Sequence, residues 1–225
     1  VPNATSRQIV RTQIVRTMSK ATNHLRTACP VLATHIARTG PLKPRPRVFT
    51  DLYPALLSAV AHQQLHARAA ITILGRLQAL SPQNALPDPA SLLALPDTTL
   101  RACGFSANKT LALQDIAAKA LNGTIPTTAA AKRLSDAELI TRLTTIRGVG
   151  QWTVEMLLIF TLRRPDIFPI DDFGVREGYR LLHKLPAQPK PKALGLIAEA
   201  YAPHRTAAAL YLWHAADLAK PGASK

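Results

Sequence analysis

Cysteine is nearly absent from this chain: Cys29 and Cys103 are the only two in 225 residues. Two thiols cannot complete an all-cysteine zinc site, nor hold an iron–sulfur cluster through four cysteines. They read as buried reduced thiols rather than a bridge, which fits an intracellular protein. Long apolar runs are missing too. The strongest, VEMLLIF at 154–160, is far short of the ~20 residues that span a membrane. The N-terminus lacks the apolar core of a secretory signal. Acids are scarce, 13 against 28 lysines and arginines, for a formal charge of +15. That excess points to a polyanionic partner, with solubility as the plainer reading. What the chain does have is apolar content, 47%, enough for the core of one large domain or two small lobes.

The segments read as helices, with no strand series. Residues 52–80 carry apolar side chains at helical spacing, interrupted by the polar HQQLH. SPQNALPDPA (81–90) is a proline-rich loop, followed by two short helices on either side of Pro96. Ser106 is a cap for the next helix, and Asn122–Gly123 its stop. TIPTTAAAKRL reads as a linker. Ser135 stands three places before Glu138, a capping-box signature. Pro165 and Pro169 end the helix that follows Gly148-Val149-Gly150. LPAQPKPKA (185–193) is the clearest basic linker, and two helices close the chain. Residues 1–26 carry Arg7, Arg11, Arg16, Lys20 and Arg26 with no acid. This has something of an organellar transit peptide but reads better as a basic helical arm.

The stretch TTIRGVGQWTVEMLLIF, residues 144–160, holds a Gly-hydrophobe-Gly turn between two helices. Glycines permit a tight turn and close backbone approach to a ligand. The amides opening the second helix then face an anion, aided by the helix dipole. An ordinary helical hairpin has the same pattern. FPIDDFGVREG follows, and its aspartates are equally readable as caps of the next helix.

Together, LTTIRGVGQWTVEMLLIF and FPIDDFGVREG resemble the helix–hairpin–helix (HhH-GPD) DNA glycosylases, in particular the 3-methyladenine DNA glycosylase II branch. HQQLHARAA (62–70), GFSANKTLALQDIA (104–117) and AAALYLWHA also resemble stretches of that branch, in the same order. The likeness spans roughly residues 45–215. It implies an all-α, two-lobed fold with a DNA-binding cleft between the lobes. The expected divisions are an N-terminal helical arm (1–45) packing with the C-terminal lobe, a central lobe with the hairpin (46–165), and a C-terminal lobe (166–225). Some relatives carry an extra β-rich N-terminal domain; the residues before the resemblance here read as helix and linker.

The resemblance also implies a site. Asp172 occupies the frame of the essential carboxylate, followed by two variable residues and then an aliphatic one. Asp171 is a support or cap, set beside the base pocket. Trp152 stands where bifunctional members carry a nucleophilic lysine. Tryptophan cannot form a Schiff base, so a monofunctional enzyme that uses water is expected. Trp152, Met156 and Trp213 are expected to line the base pocket, although core packing would account for each. Leu65, or else His66, is expected to plug the gap left by an extruded base, with Gln63 and Gln64 near the opposite strand. Solvated polar side chains on a helix are the alternative there. Arg147, Gly148, Val149, Gly150 and Thr153 are expected to contact DNA. The carbonyls of Thr144, Ile146 and Val149 are expected to hold a structural Na+ or K+, with no cofactor required for the reaction. Lys109 reads as a solvated lysine, with phosphate contact as the alternative.

The expected function is base excision repair: hydrolysis of the N-glycosidic bond of flipped-out alkylated bases of the 3-methyladenine and 7-methylguanine class. The expected partner is double-stranded DNA carrying such bases, the expected state a monomer without membrane contact, and the expected location the cytoplasm (bacterial nucleoid) or nucleus. A bifunctional glycosylase/lyase and a non-catalytic hairpin module are the competing readings. Asp172 separates the last, because an acid facing phosphate does not help a pure binder.

Overall fold

Helix is the only regular secondary structure among the described residues, 19–42 and 48–220 of a computed structural model. Arg7, Arg11 and Arg16 of the expected basic arm lie outside them. A helix over 19–28 (α1) leads into α2 (Pro30–Thr39). Then come α3 (Leu52–His62), α4 (Ala67–Gln78), α5 (Pro89–Ala94), α6 (Asp97–Cys103) and α7 (Ala107–Leu121). α8 (Thr128–Ala131) and α9 (Asp136–Leu143) precede the hairpin, and α10 (Gln151–Met156) follows it. α10 widens into a π-helical stretch, Leu157–Leu162. α11 (Phe173–Leu182), α12 (Pro191–Ala198) with a 3-10 turn at Glu199–Tyr201, and α13 (Arg205–Leu218) complete the series. None of the described helices is long and apolar enough to cross a membrane.

Local chemistry sets many boundaries. The Ser135 hydroxyl accepts from the Glu138 amide at 3.2 Å, and Glu138 returns the bond to the Ser135 amide at 2.7 Å. Ser106 caps α7 through the Lys109 amide. Gly123, at φ +80°, follows the end of α7. The stretch 124–134 holds a short helix as well as linker. Thr127 accepts from the Ala130 amide at 3.2 Å, and three alanines of high helix propensity complete the turn of α8.

The chain divides into two units. One contains the described residues 48–163. Its core joins Leu56, Leu57 and Val60 of α3, Leu113 and Ile116 of α7, Leu139 and Leu143 of α9, and Val154 and Leu158 beyond the hairpin, all fully buried. α7 packs against α3, α5 and α6 within it. The other unit contains residues 19–42 and 164–220. Leu25, Leu32, Ile36, Val175, Tyr201, Tyr211 and Leu212 form its core. There α11 and α13 pack so closely that a Cβ on Gly178 would lie 1.9 Å from the Leu212 carbonyl oxygen. Cys29 and Cys103 are both free and buried.

Candidate active site

The hairpin is built from the inside out. Ile146 and Val149 are buried and anchor it, while Arg147, Gly148 and Gly150 face outward. Gly148 adopts φ +73°, the left-handed region where a side chain is strained. At Gly150 a Cβ would meet nothing within 4 Å, so the backbone there is openly approachable. The helical ladder of α10 begins with the Val154 amide bonded to the Gly150 carbonyl at 3.2 Å. The Gly150 and Gln151 amides stand ahead of that ladder, as expected at a helix N-terminus. Thr153, expected to contact DNA, is buried.

α7 braces this turn from beneath. Asp115 accepts from the Arg147 amide at 2.7 Å and from Lys119 Nζ at 2.8 Å. Lys119 also donates to the Thr145 carbonyl. Burial pushes the Asp115 carboxyl up, but the Arg147 amide and Lys119 outweigh it and hold the carboxyl below its usual range. The Ile146 carbonyl accepts from the Val149 amide at 3.1 Å. No cluster of three or more His, Cys, Asp or Glu among the described residues offers a side-chain metal site.

The HQQLH segment forms a break between α3 and α4 rather than a continuous helix. Gln64 takes φ +55°, uncommon for a residue with a side chain. Leu65 is 41% exposed at this turn, and Gln64 and His66 are exposed with it. Gln63 Nε2 donates to the Gly148 carbonyl at 2.8 Å, tying the turn to the hairpin. Lys109 departs from the solvated lysine expected from sequence. Its ammonium donates to the Ala61 carbonyl at 2.9 Å and the Gln63 carbonyl at 2.7 Å, closing the C-terminal end of α3. Burial lowers its pKa.

In the other unit, Asp172 is the N-cap of α11. Its Oδ1 accepts from the Val175 amide at 2.8 Å and from Trp213 Nε1 at 2.7 Å. Its residue exposure is only 8%, whereas Asp171 is exposed. The two aspartates therefore occupy different environments although they are adjacent. Gly174 makes the Trp213 contact feasible: a Cβ at 174 would lie 2.7 Å from Trp213 Cδ1 and 3.2 Å from Asp172 Oδ1. The indole packs against the core of that unit. A carboxylate so fixed is pre-oriented, and its capping bond does not conflict with a chemical role.

Trp152 lies in the first turn of α10 and is 47% exposed; Met156, one turn later, is partly buried. Residues 57–203 match the model of the HhH-GPD superfamily base excision DNA repair proteins. The chain belongs to this superfamily. DNA-3-methyladenine glycosylase 1 of Schizosaccharomyces pombe is 43% identical over 208 residues, 92% of this chain and 91% of that protein. A solved structure of a 3-methyladenine DNA glycosylase from Schizosaccharomyces pombe, in complex with abasic DNA, is 44% identical with a TM-score of 0.80. The match covers 89% of this chain and 98% of that one. The structure of a DNA-3-methyladenine glycosidase from Bacillus halodurans is 30% identical with a TM-score of 0.69, covering 84% and 89% of the two chains.

Several residues that shape the site in this HhH-GPD protein went unmarked in the sequence. Gly174 reads as one variable residue of the aspartate frame, yet it makes room for the indole. Asp115 sits mid-helix with nothing local to announce its bond to the hairpin. Glu155 is a buried carboxylate just after the hairpin, accepting from Gln151 Nε2 at 2.9 Å. Its only sequence signal is an acid inside the apolar run VEMLLIF.

Proposed function

We propose that this base excision repair protein is a monofunctional DNA glycosylase of the 3-methyladenine DNA glycosylase II type, with Asp172 as its catalytic carboxylate. The observation that carries this reading is the fixed, buried carboxylate of Asp172, held by Val175 and Trp213. A paired base is out of reach inside the duplex, so it must be extruded at a cost of a few kcal/mol. The relatives' names point to alkylated purines. Alkylation at N3 or N7 gives the base a formal positive charge, which makes it a good leaving group. The electron pair of the glycosidic bond departs with the base and neutralises it. Positive charge then develops on the sugar, and a water oxygen bonds to C1′ and releases a proton. A carboxylate about 4 Å from that charge stabilises it by roughly 4 kcal/mol at an effective dielectric of ~20. This is enough for roughly a thousandfold in rate.

The other roles follow from chemistry. Arg147 and the backbone of Gly148, Val149, Gly150 and Thr153 hold phosphate. Leu65, exposed beside a left-handed residue, fills the gap left by the base, with Gln64 and His66 flanking it. Trp152 and Met156 supply aromatic and soft apolar surface, and aromatic faces attract cationic bases. Trp213 and Asp171 flank the reacting carboxylate. A sodium or potassium ion on the carbonyls of Thr144, Ile146 and Val149 would add positive charge at the phosphate. Action on DNA fits a location in the nucleus or nucleoid.

Trp152 at the position of a lyase lysine predicts that no covalent intermediate forms. Borohydride added during turnover should trap no protein–DNA adduct, and strand breaks should appear only after alkali. A trapped adduct would identify a lysine nucleophile and replace the water mechanism with a bifunctional one.

A further inference from the structure

Two features proposed to engage DNA, the 63–66 turn and the 144–150 hairpin, share one mount. That mount is α7, a 15-residue helix in the same unit as both. Lys119 and Asp115 hold the hairpin from one side. From the other side Gln63 holds it, and Gln63 is clamped at both ends. Its carbonyl takes the Lys109 ammonium at 2.7 Å, and its side-chain amide binds the Gly148 carbonyl at 2.8 Å. The next residue is Gln64, at φ +55°, and the one after is the exposed Leu65. Unusual backbone conformations of this kind persist only where their surroundings over-determine them. Lys109 supplies that determination through two carbonyls from one ammonium. In a chain of charge +15, a lysine turned onto carbonyls is not acting as a general phosphate contact.

We propose that Lys109 is a positioning residue for base extrusion, acting through Gln63 to hold Leu65 at a fixed place relative to the hairpin. The inference rests on the reading of Leu65 as the gap-filling residue. The physical reason is mechanical. Filling the gap opposes re-insertion of the base only if the inserted side chain is anchored relative to the phosphates that the hairpin holds. A turn free to move yields instead, and ordering it at each encounter costs conformational entropy. Lys109 removes that cost in advance.

A merely structural role, closing the end of α3, would weaken the fold and lower every activity by the same factor. A positioning role is selective for DNA whose base is hard to extrude. The test compares single-turnover excision of one alkylated base from two duplexes, one normally paired and one mispaired at that base, where extrusion is easier. Lys109→Met keeps the side-chain stem and removes the charge. It should slow excision from the paired duplex by roughly tenfold, the scale of the lost charge-assisted hydrogen bond to Gln63. On the mispaired duplex the loss should stay under about threefold. The fluorescence rise of a 2-aminopurine next to the paired lesion, which reports unstacking, should fall in parallel. Lys109→Arg can still reach carbonyls and should recover most of the paired rate. Gln63→Ala leaves the Lys109 bonds in place but cuts the link to Gly148, and should show the same selective loss. An equal loss on both duplexes, or none on the paired one, overturns the proposal. Leu65→Ala separates the two readings. If it excises the paired base at the normal rate, the gap-filling role fails. If it shows the selective loss and Lys109→Met does not, the positioning role alone fails.

Discussion

Asp172→Asn should abolish most base excision while leaving the fold intact. Asparagine caps a helix nearly as well as aspartate, and its side-chain oxygen can still accept from Val175 and Trp213, the two donors that fix Oδ1. The charge is lost, and the second oxygen is replaced by an amide nitrogen. Excision should fall by about a hundredfold or more, the scale for one preorganised electrostatic contact in an active site. Binding to DNA with an abasic-site analogue should be kept or strengthened, because a negative charge facing phosphate has been removed. Asp171→Asn, at an exposed position, should cost far less. If both aspartates only capped the helix, the two variants would show small and similar effects. Excision within a few-fold of wild type for Asp172→Asn would remove the assignment.

The second large effect is expected at Gly178. A Cβ there would lie 1.9 Å from the Leu212 carbonyl oxygen and 2.9 Å from its Cα. These are backbone atoms, so no side-chain rotation relieves the clash and α11 must move away from α13. Overpacking typically costs about 1–3 kcal/mol and occasionally more. Gly178→Ala should sit at the upper end, read as a lowered urea midpoint. The same movement separates Asp172 at the start of α11 from Trp213 on α13, so excision should fall in the surviving folded fraction too. Gly195→Ala is the control: its Cβ would make only ordinary contact with Ile170, at 3.6 Å. It should be neutral or stabilising, since alanine is favoured over glycine by up to about 1 kcal/mol within a helix. Equal midpoints for the two variants would contradict the close α11–α13 packing.

What could be read in the sequence was local. Ser135 and Glu138 are three residues apart and their bonds form as the spacing implies. Ser106, the glycine turn at 148–150 and the capping aspartate before Phe173 are equally short-range. The interruption at HQQLH was visible, but not that it becomes a turn with Gln64 left-handed. That turn depends on Gln63 meeting Gly148, 85 residues away. Lys109 looked solvated because its partners lie 46 and 48 residues upstream. Trp213 is legible as an aromatic near the base only through the family resemblance, and its bond to Asp172 spans 41 residues and requires a glycine at 174. Partners this distant leave no periodic or spacing signature, because tertiary packing rather than local backbone geometry brings them together.

The most direct measurement is single-turnover incubation of the wild-type protein with a defined duplex containing 3-methyladenine, followed by mass spectrometry of both products. The proposed chemistry predicts free 3-methyladenine and an unbroken strand carrying an abasic sugar, in equal amounts and at the rate of substrate loss. A duplex left intact, with no free base released at protein excess, would contradict it.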